Sequence, residues 1–259
     1  MNVPANTIAQ YHQKLADLNQ IYQLLRDSGP ALKVRNGPFT GLIYPNLRSA
    51  GSVLLPKLLG SYENELEPIM VEILNTSYET ILNIGCGEGY YANGLALHSP
   101  NSLVYAFDID PFARDLCREM SEINGTTEKV RIEDGIDDIQ LSKFRFASRN
   151  LVISDCEGAE RELFTARSLT NLLETDLLIE VHDPEKDEIT QNLLLLFSPS
   201  HAITTIPCRS DEYRVENYCF HPVGKHSQRR IRQLAYSECR QGSIKWLWLK
   251  AQTAKNRRT

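Results

Sequence analysis

Apolar residues are spaced in two different ways along this chain. Between residues 8 and 27 they recur at Ile8, Tyr11, Leu15, Leu18, Ile21, Leu24 and Leu25, the interval of one face of an amphipathic helix. Ser28, Gly29 and Pro30 end that segment, since glycine and proline do not continue a helix. Residues 36–52 are rich in Gly, Pro and Asn and read as irregular chain, and 53–75 return to helical spacing interrupted at Pro56 and Pro68. From residue 80 onward short apolar runs of strand length alternate with longer amphipathic ones. They predict strands near 80–84, 103–107, 129–133, 150–154, 177–181, 202–207 and 245–250, and helices near 89–98, 111–123, 160–168, 186–197 and 226–237. This alternation implies a mainly parallel sheet covered on both faces. The expected fold class is α/β, with an α/β domain over 76–259 and an N-terminal helical and irregular extension over 1–75.

The first strand runs into the most informative stretch, ILNIGCGEGYYANG at 81–94. Ile81, Leu82 and Ile84 read as a buried strand, and Gly85, Gly87 and Gly89 follow as G-x-G-x-G at the start of a helix. Glycines let the backbone approach a ligand closely, because no Cβ intervenes. The helix start adds unpaired N–H groups and partial positive charge. A nucleotide-like cofactor is therefore expected here. The dinucleotide fingerprint G-x-G-x-x-G would need glycine where this chain has Tyr90, which argues against a nicotinamide cofactor. The G-x-G-x-G spacing after a strand containing Asn83 instead resembles motif I of Rossmann-like S-adenosylmethionine methyltransferases. The second strand, LVYAF, ends at Asp108 with Ile109 beside it, about twenty residues past the glycines, where this architecture holds an acid for the ribose hydroxyls. Asp110 and Pro111 open the next helix.

Ligands of an open α/β sheet lie beyond the carboxyl ends of its strands, so the later strand ends are the candidate chemistry. After VRIE stand Asp134, Gly135 and Ile136. The acid could accept from an adenine amino group while the isoleucine packs on the ring, or Asp134 could be a solvated turn residue. LVISDCEGAERELF places Asp155 at the end of the fourth strand, then Glu157, Gly158 and Glu160. Two carboxylates at a ligand edge are costly to hold together unless something uses them. The alternative is that Glu157 and Glu160 are first-turn acids favoured by a helix dipole. In DLLIEVHDP, Glu180 and His182 lie two apart and would point to one face of a strand, and His182 could exchange a proton near neutral pH.

DCEGAE followed by LLIEVHD resembles the FkbM-type methyltransferases, a likeness that spans residues 80 to about 185. GPFTGLIYP, LLGSYENEL and ECRQGSIKWLWLK are similar to flanking elements of a bacterial branch of that family. The resemblance implies a Rossmann-like methyltransferase fold with a seven-stranded, mostly parallel sheet. It implies S-adenosyl-L-methionine as cofactor, bound by Gly85, Gly87, Gly89 and Asp108, with Asn83, Ile109, Asp134, Gly135 and Ile136 as further contacts expected from their places at the strand ends. It places Asp155, Glu157, Glu180 and His182 in the active site, and O-methylation of a sugar, glycan or secondary-metabolite hydroxyl as the reaction. His182 or Asp155 is the expected base. No spacing demands a metal, although Asp155, Glu157 and Glu180 offer the oxygen ligands that Mg²⁺ or Mn²⁺ prefers. Asn83 departs from the acid common at its place in methyltransferases.

Composition narrows the field. With 259 residues and 42% hydrophobic content, one large domain with an ample core is expected. A net charge of −5 argues against a nucleic-acid partner, as does DCEG in the place where an amino-directed nucleic-acid methyltransferase would carry N/D-P-P-Y/F. Arg229, Arg230 and Arg232 read as an exposed helix face or an anion contact, and Lys255, Arg257 and Arg258 as a solvated tail. Cys86, Cys117, Cys156, Cys208, Cys219 and Cys239 include no C-x-x-C pair, so neither a zinc site nor a disulfide framework is expected. No secretory signal or membrane span is visible, which makes a cytoplasmic protein the expectation. Tyr62 and Glu63 are expected to close over the cofactor, or to pack against the sheet or the second subunit of a homodimer, and Trp246 and Trp248 to share one core face. The competing functions are a nicotinamide oxidoreductase and a non-catalytic cofactor-binding scaffold.

Overall fold

The computed structural model describes residues 5–27, 29, 32–183, 188–240 and 243–252. Ser28, Pro30, the basic tail at Lys255, Arg257 and Arg258, and the side chains of Ile8 and Tyr11 lie outside the described residues. Helix α1 (Ala5–Asp27), α2 (Leu54–Leu59), a 3₁₀ turn at Asn64–Leu66 and α3 (Glu67–Leu74) precede the sheet. Then follow β1 (Thr80–Ile84), α4 (Tyr90–His98), β2 (Leu103–Phe107), α5 (Pro111–Asn124), β3 (Val130–Glu133), α6 (Asp138–Ser142) and β4 (Asn150–Ser154). The chain continues through α7 (Glu160–Leu163), α8 (Ala166–Leu172), β5 (Thr175–Asp183), α9 (Glu188–Phe197), β6 (His201–Pro207), α10 (Asp211–Asn217), α11 (Arg229–Tyr236) and β7 (Ser243–Ala251).

The seven strands form one sheet in the order β3-β2-β1-β4-β5-β7-β6. All neighbours are parallel except β7, which inserts antiparallel between β5 and β6. This is the Rossmann-like methyltransferase fold with an N-terminal helix added. Alternation of side chains along each strand divides the apolar core in two. Ile81, Val104, Leu151, Ile153, Leu178, Trp246 and Trp248 face one side, in a cluster that also takes in Ile21, Leu25, Phe39, Leu58 and Ile231. Leu82, Ile84, Val152, Leu177, Ile179, Leu247 and Leu249 face the other side, with Leu163, Leu172, Leu193 and Phe197. Both tryptophans are buried core residues, as their two-residue spacing predicts.

Two short helices have causes that hydrophobic spacing does not reveal. Asp137 starts α6 with a reciprocal capping box to Gln140, which satisfies two otherwise unpaired N–H groups. Ser210 caps α10 through Tyr213 N–H at 3.2 Å, and the buried Arg214 anchors that helix on Glu65 and Glu238, each at 2.9 Å. The segment expected as one helix at 160–168 is instead α7 and α8, separated where Thr165 caps α8.

Of the late arginines, Arg232 departs from the expected exposed face. Arg232 is buried and donates to the carbonyls of Val215, Gly224 and Tyr218. Arg230 pairs with Asp17 of α1 at 2.9 Å, and Arg229 stands beside Glu216 at 3.7 Å. Arg229 and Arg230 thus lie on the expected exposed face, each beside an acid, whereas Arg232 binds α11 to its neighbours from within. Among the described residues no helix is long and apolar enough to cross a membrane.

Candidate functional site

The carboxyl ends of β1, β2, β3 and β4 meet the segment at 50–57 around a cavity of about 340 Å³. Ile84, Gly85, Cys86 and Gly87 form its floor, Asp108 and Ile109 one wall, and Gly135 and Ile136 the rim beyond. Gly85 has φ 75°, and a Cβ there would lie 1.6 Å from the carbonyl oxygen of Asp155. Only glycine lets β1 and β4 end this close together. Gly87 has φ 53° and donates its N–H to Asp108 Oδ2 at 2.8 Å, while Asp110 N–H reaches Oδ1 at 2.9 Å. These two bonds fix the half-buried carboxylate at the cavity wall with acceptor capacity left for a pair of hydroxyls. Ile109 is 87% exposed beside it, an apolar surface of the kind an aromatic base covers.

Three residues expected at the cofactor lie elsewhere. Asn83 is buried in the middle of the sheet and does not line the cavity; its Oδ1 has no hydrogen-bond partner among the described residues. Gly89 caps α4 and packs against Cys117 of α5, away from the cavity. Asp134 has an 88% exposed side chain that pairs with Arg114 at 2.9 Å. Replacing Asp134 by Asn is therefore expected to change cofactor affinity by no more than about twofold, because an exposed ion pair contributes little; a tenfold loss in a titration would contradict this placement.

The second group of residues converges at the ends of β4 and β5. His182 Nδ1 stands 3.1 Å from Glu160 Oε1, and Nε2 faces Glu157 Oε2 at 3.5 Å, Glu180 Oε2 at 3.6 Å and Asp155 Oδ1 at 3.7 Å. Glu180 and His182 share a strand face, which is why two-residue spacing brings them together. Glu157 adopts φ 52° at the turn into α7 and remains largely exposed, whereas Glu160 is fully buried. Burial alone would lower the His182 pKa, but the hydrogen bond to Glu160 and the charges of Asp155, Glu160 and Glu157 outweigh it and hold the pKa above the ordinary value. Burial raises the carboxyl of Asp155, and burial together with the charges of Asp155 and Glu63 raises that of Glu180 further.

Sequence reading missed the groups that hold this site in place. Glu88, inside the glycine loop, is buried and accepts from Lys57 Nζ at 2.5 Å, Ser49 Oγ at 3.0 Å, Tyr44 O–H at 3.1 Å and Ala50 N–H at 3.1 Å. Burial opposes its charge, yet Lys57 and the hydrogen bonds win and its pKa lies below the ordinary value. Segment 44–57 is thereby joined to the cofactor loop. Lys57 also lies 4.8 Å from the Tyr62 ring centre. Tyr62 lines the cavity, while Glu63 is buried and bonded to Arg240 and Tyr91. Arg240 spreads its guanidinium over Glu63, Glu180 and, at 2.9 Å, Glu238. No local spacing marks these partners: Arg240 is 60 residues from Glu180. The one available signal is an arginine shortly before the strand that pairs with β5.

Comparison with known proteins agrees with this geometry over part of the chain. Residues 67–154 match the family model of the methyltransferase small domain. No curated protein matches the sequence. Among solved structures, a candidate O-methyltransferase of Klebsiella pneumoniae aligns at 12% identity over 95% of this chain and 97% of its own, with a TM-score of 0.47. A candidate rRNA-methylase of Clostridium thermocellum aligns at 12% identity over 73% and 96%, with a TM-score of 0.46. Precorrin-6y C5,15-methyltransferase of Geobacter metallireducens GS-15 aligns at 10% identity over 70% and 85%, with a TM-score of 0.42.

Proposed function

We propose that this chain is an S-adenosylmethionine-dependent methyltransferase whose acceptor is a hydroxyl group of a sugar, glycan or secondary metabolite. The observation that carries the reading is a single cavity in which the glycine loop and Asp108 lie on one side and Asp155 and Glu157 on the other. The residues present fit the cofactor. Asp108 is oriented for two ribose hydroxyls, Ile109 and Ile136 offer apolar contact for a base, and the backbone from Gly85 to Gly87 forms the cavity floor. When bound, S-adenosylmethionine supplies an electrophilic methyl group carried on a sulfonium.

The protein then has to hold the acceptor oxygen in line and remove its proton, and alignment alone lowers such barriers by several kcal/mol, up to roughly 7–11 in ideal cases. Asp155, which lines the cavity, or His182 behind it is the base for that proton. Glu160 fixes the imidazole through Nδ1, and the Arg240 network holds Glu180 beneath them. The acidic rim formed by Glu157 disfavours a polyanionic nucleic acid, consistent with a small or glycan acceptor. The likeness of DCEGAE and LLIEVHD to FkbM-type enzymes supports the hydroxyl as the methylated group.

Calorimetric titration with S-adenosylmethionine, S-adenosylhomocysteine and NAD⁺ tests the reading. The two sulfur ligands are expected to bind wild type. Asp108→Ala should weaken them roughly 100-fold, since each hydrogen bond to a charged group contributes about 1.5–3 kcal/mol. Binding of NAD⁺ alone, or no effect of the substitution, would overturn it.

A further inference from the structure

We infer that Asp155, Glu157 and His182 form a divalent-cation site, with Glu160 as the carboxylate that orients the imidazole. The inference builds on the methyltransferase reading only in placing the ion beside the acceptor. The site itself stands on the side chains. One ligand atom from each of the three residues lies within 4.8 Å of the others. His182 Nε2 is 3.5 Å from Glu157 Oε2 and 3.7 Å from Asp155 Oδ1. Those separations are longer than the ~2.7–2.9 Å of a charge-assisted N–H···O bond, so they do not suit a proton shared directly between these atoms. They are close to the spacing of neighbouring ligands around one ion, about 3.0–3.4 Å for metal–ligand bonds near 2.1 Å. A contraction of a few tenths of an ångström brings the histidine and each carboxylate into range.

Two further observations point to a ligand. Asp155 Oδ1, the atom facing His182, is buried and receives no N–H or O–H donor among the described residues, while the carboxyl itself stands beside Glu180. Glu160 is fully buried and meets Nδ1 at 3.1 Å. A carboxylate at Nδ1 keeps the proton there and aims the Nε2 lone pair at the other two acids, the arrangement that metal-bound histidines use. Arg240 occupies Oε1 of Glu180, leaving Oε2 3.6 Å from His182 Nε2 as a further oxygen beside the three. One imidazole beside two carboxylates departs from the all-oxygen shells preferred by Mg²⁺ and Ca²⁺ and suits a first-row divalent ion, for which Mn²⁺ is the spectroscopic probe. Three protein ligands leave positions open to an oxygen of the acceptor, and Asp155 and Glu157 both face the cavity where that acceptor would lie.

The test is Mn²⁺ binding to the full chain by calorimetry and by loss of the free-ion electron paramagnetic resonance signal, with Mg²⁺ and Ca²⁺ as comparisons. Wild type should bind Mn²⁺ more tightly than either. Glu157→Gln and His182→Gln should each weaken Mn²⁺ at least about tenfold, and Glu160→Gln by roughly 10–100-fold. Glu157 is 73% exposed, so its variant should keep the fold and makes the test decisive even if a buried variant does not. Absence of Mn²⁺ binding by wild type, or unchanged affinity in both Glu157→Gln and His182→Gln, overturns the inference. S-adenosylmethionine is titrated into the same samples. Cofactor binding without Mn²⁺ binding removes the metal site and leaves the methyltransferase reading intact; the reverse result removes that reading alone.

Discussion

Replacing Arg240 by methionine is expected to destabilise the protein by about 3–5 kcal/mol at pH 8, the usual cost of removing one partner from a buried ion pair. Three acids depend on this guanidinium. Glu63, Glu180 and Glu238 are each almost completely buried, and Arg240 contacts all three. Its planar fork matches several carboxylates at once, and methionine preserves much of the volume while removing the donors. The loss should be smaller in acid. Burial raises the pKa of each of the three carboxyls despite Arg240, and that of Glu238 reaches about 7 against an ordinary 4.5. An acid raised in the folded state contributes stability that is fully present below its unfolded pKa and is lost as pH rises through the folded one. For Glu238 that window runs from about 4.5 to about 7 and corresponds to roughly 3 kcal/mol. In Arg240→Met the window moves higher still. At pH 5.5 Glu238 is then neutral and its burial costs much less. Urea unfolding at pH 5.5 and pH 8 measures the difference. Equal losses at the two pH values would show that the acids are not the source.

The same network shows what a sequence can and cannot reveal. Strands β1, β2, β4 and β5 were legible because each buried run is short, nearly continuous in Ile, Leu and Val, and punctuated by glycine or an acid. Gly85, Gly87, Asp108, Asp155 and His182 were legible because each stands at a strand end, where open α/β sheets bind their ligands. Asp134 satisfied the same rule and yet turns to Arg114; position along the chain specifies the edge, not the rotamer. Glu160 reads in sequence as a first-turn acid. It is one, in α7, and it is also a buried partner of His182, which requires knowing that β5 lies beside β4. Lys57 with Glu88, and Arg240 with Glu63 and Glu180, are pairings between distant segments. Each side chain alone looks like a surface charge. Only the sheet order, with β7 inserted beside β5, brings Arg240 under the site.

Gly85→Ala should disable the cofactor side and the acidic side of the site together. The added Cβ would stand 1.6 Å from the Asp155 carbonyl oxygen, and φ is 75°. An L-residue in the left-handed region costs roughly 1–2 kcal/mol, and forced overpacking adds typically about 1–3 kcal/mol. The clash is with backbone rather than with a flexible side-chain end, so relief requires β1 and β4 to separate. That movement displaces Asp155 from His182 and the glycine loop from Asp108. A loss of about 2–5 kcal/mol in urea unfolding is expected, with S-adenosylmethionine binding weakened beyond detection in the fraction that folds. Gly87→Ala is the matched comparison. Its φ is 53°, and its added Cβ would lie 3.4 Å from the carbonyl oxygen of Ala50, an ordinary contact, so only the backbone penalty of about 1–2 kcal/mol applies. If the two variants lost equal stability, the close approach of β1 to β4 at Gly85 would not be what the fold depends on, and the glycines would matter only for their backbone angles.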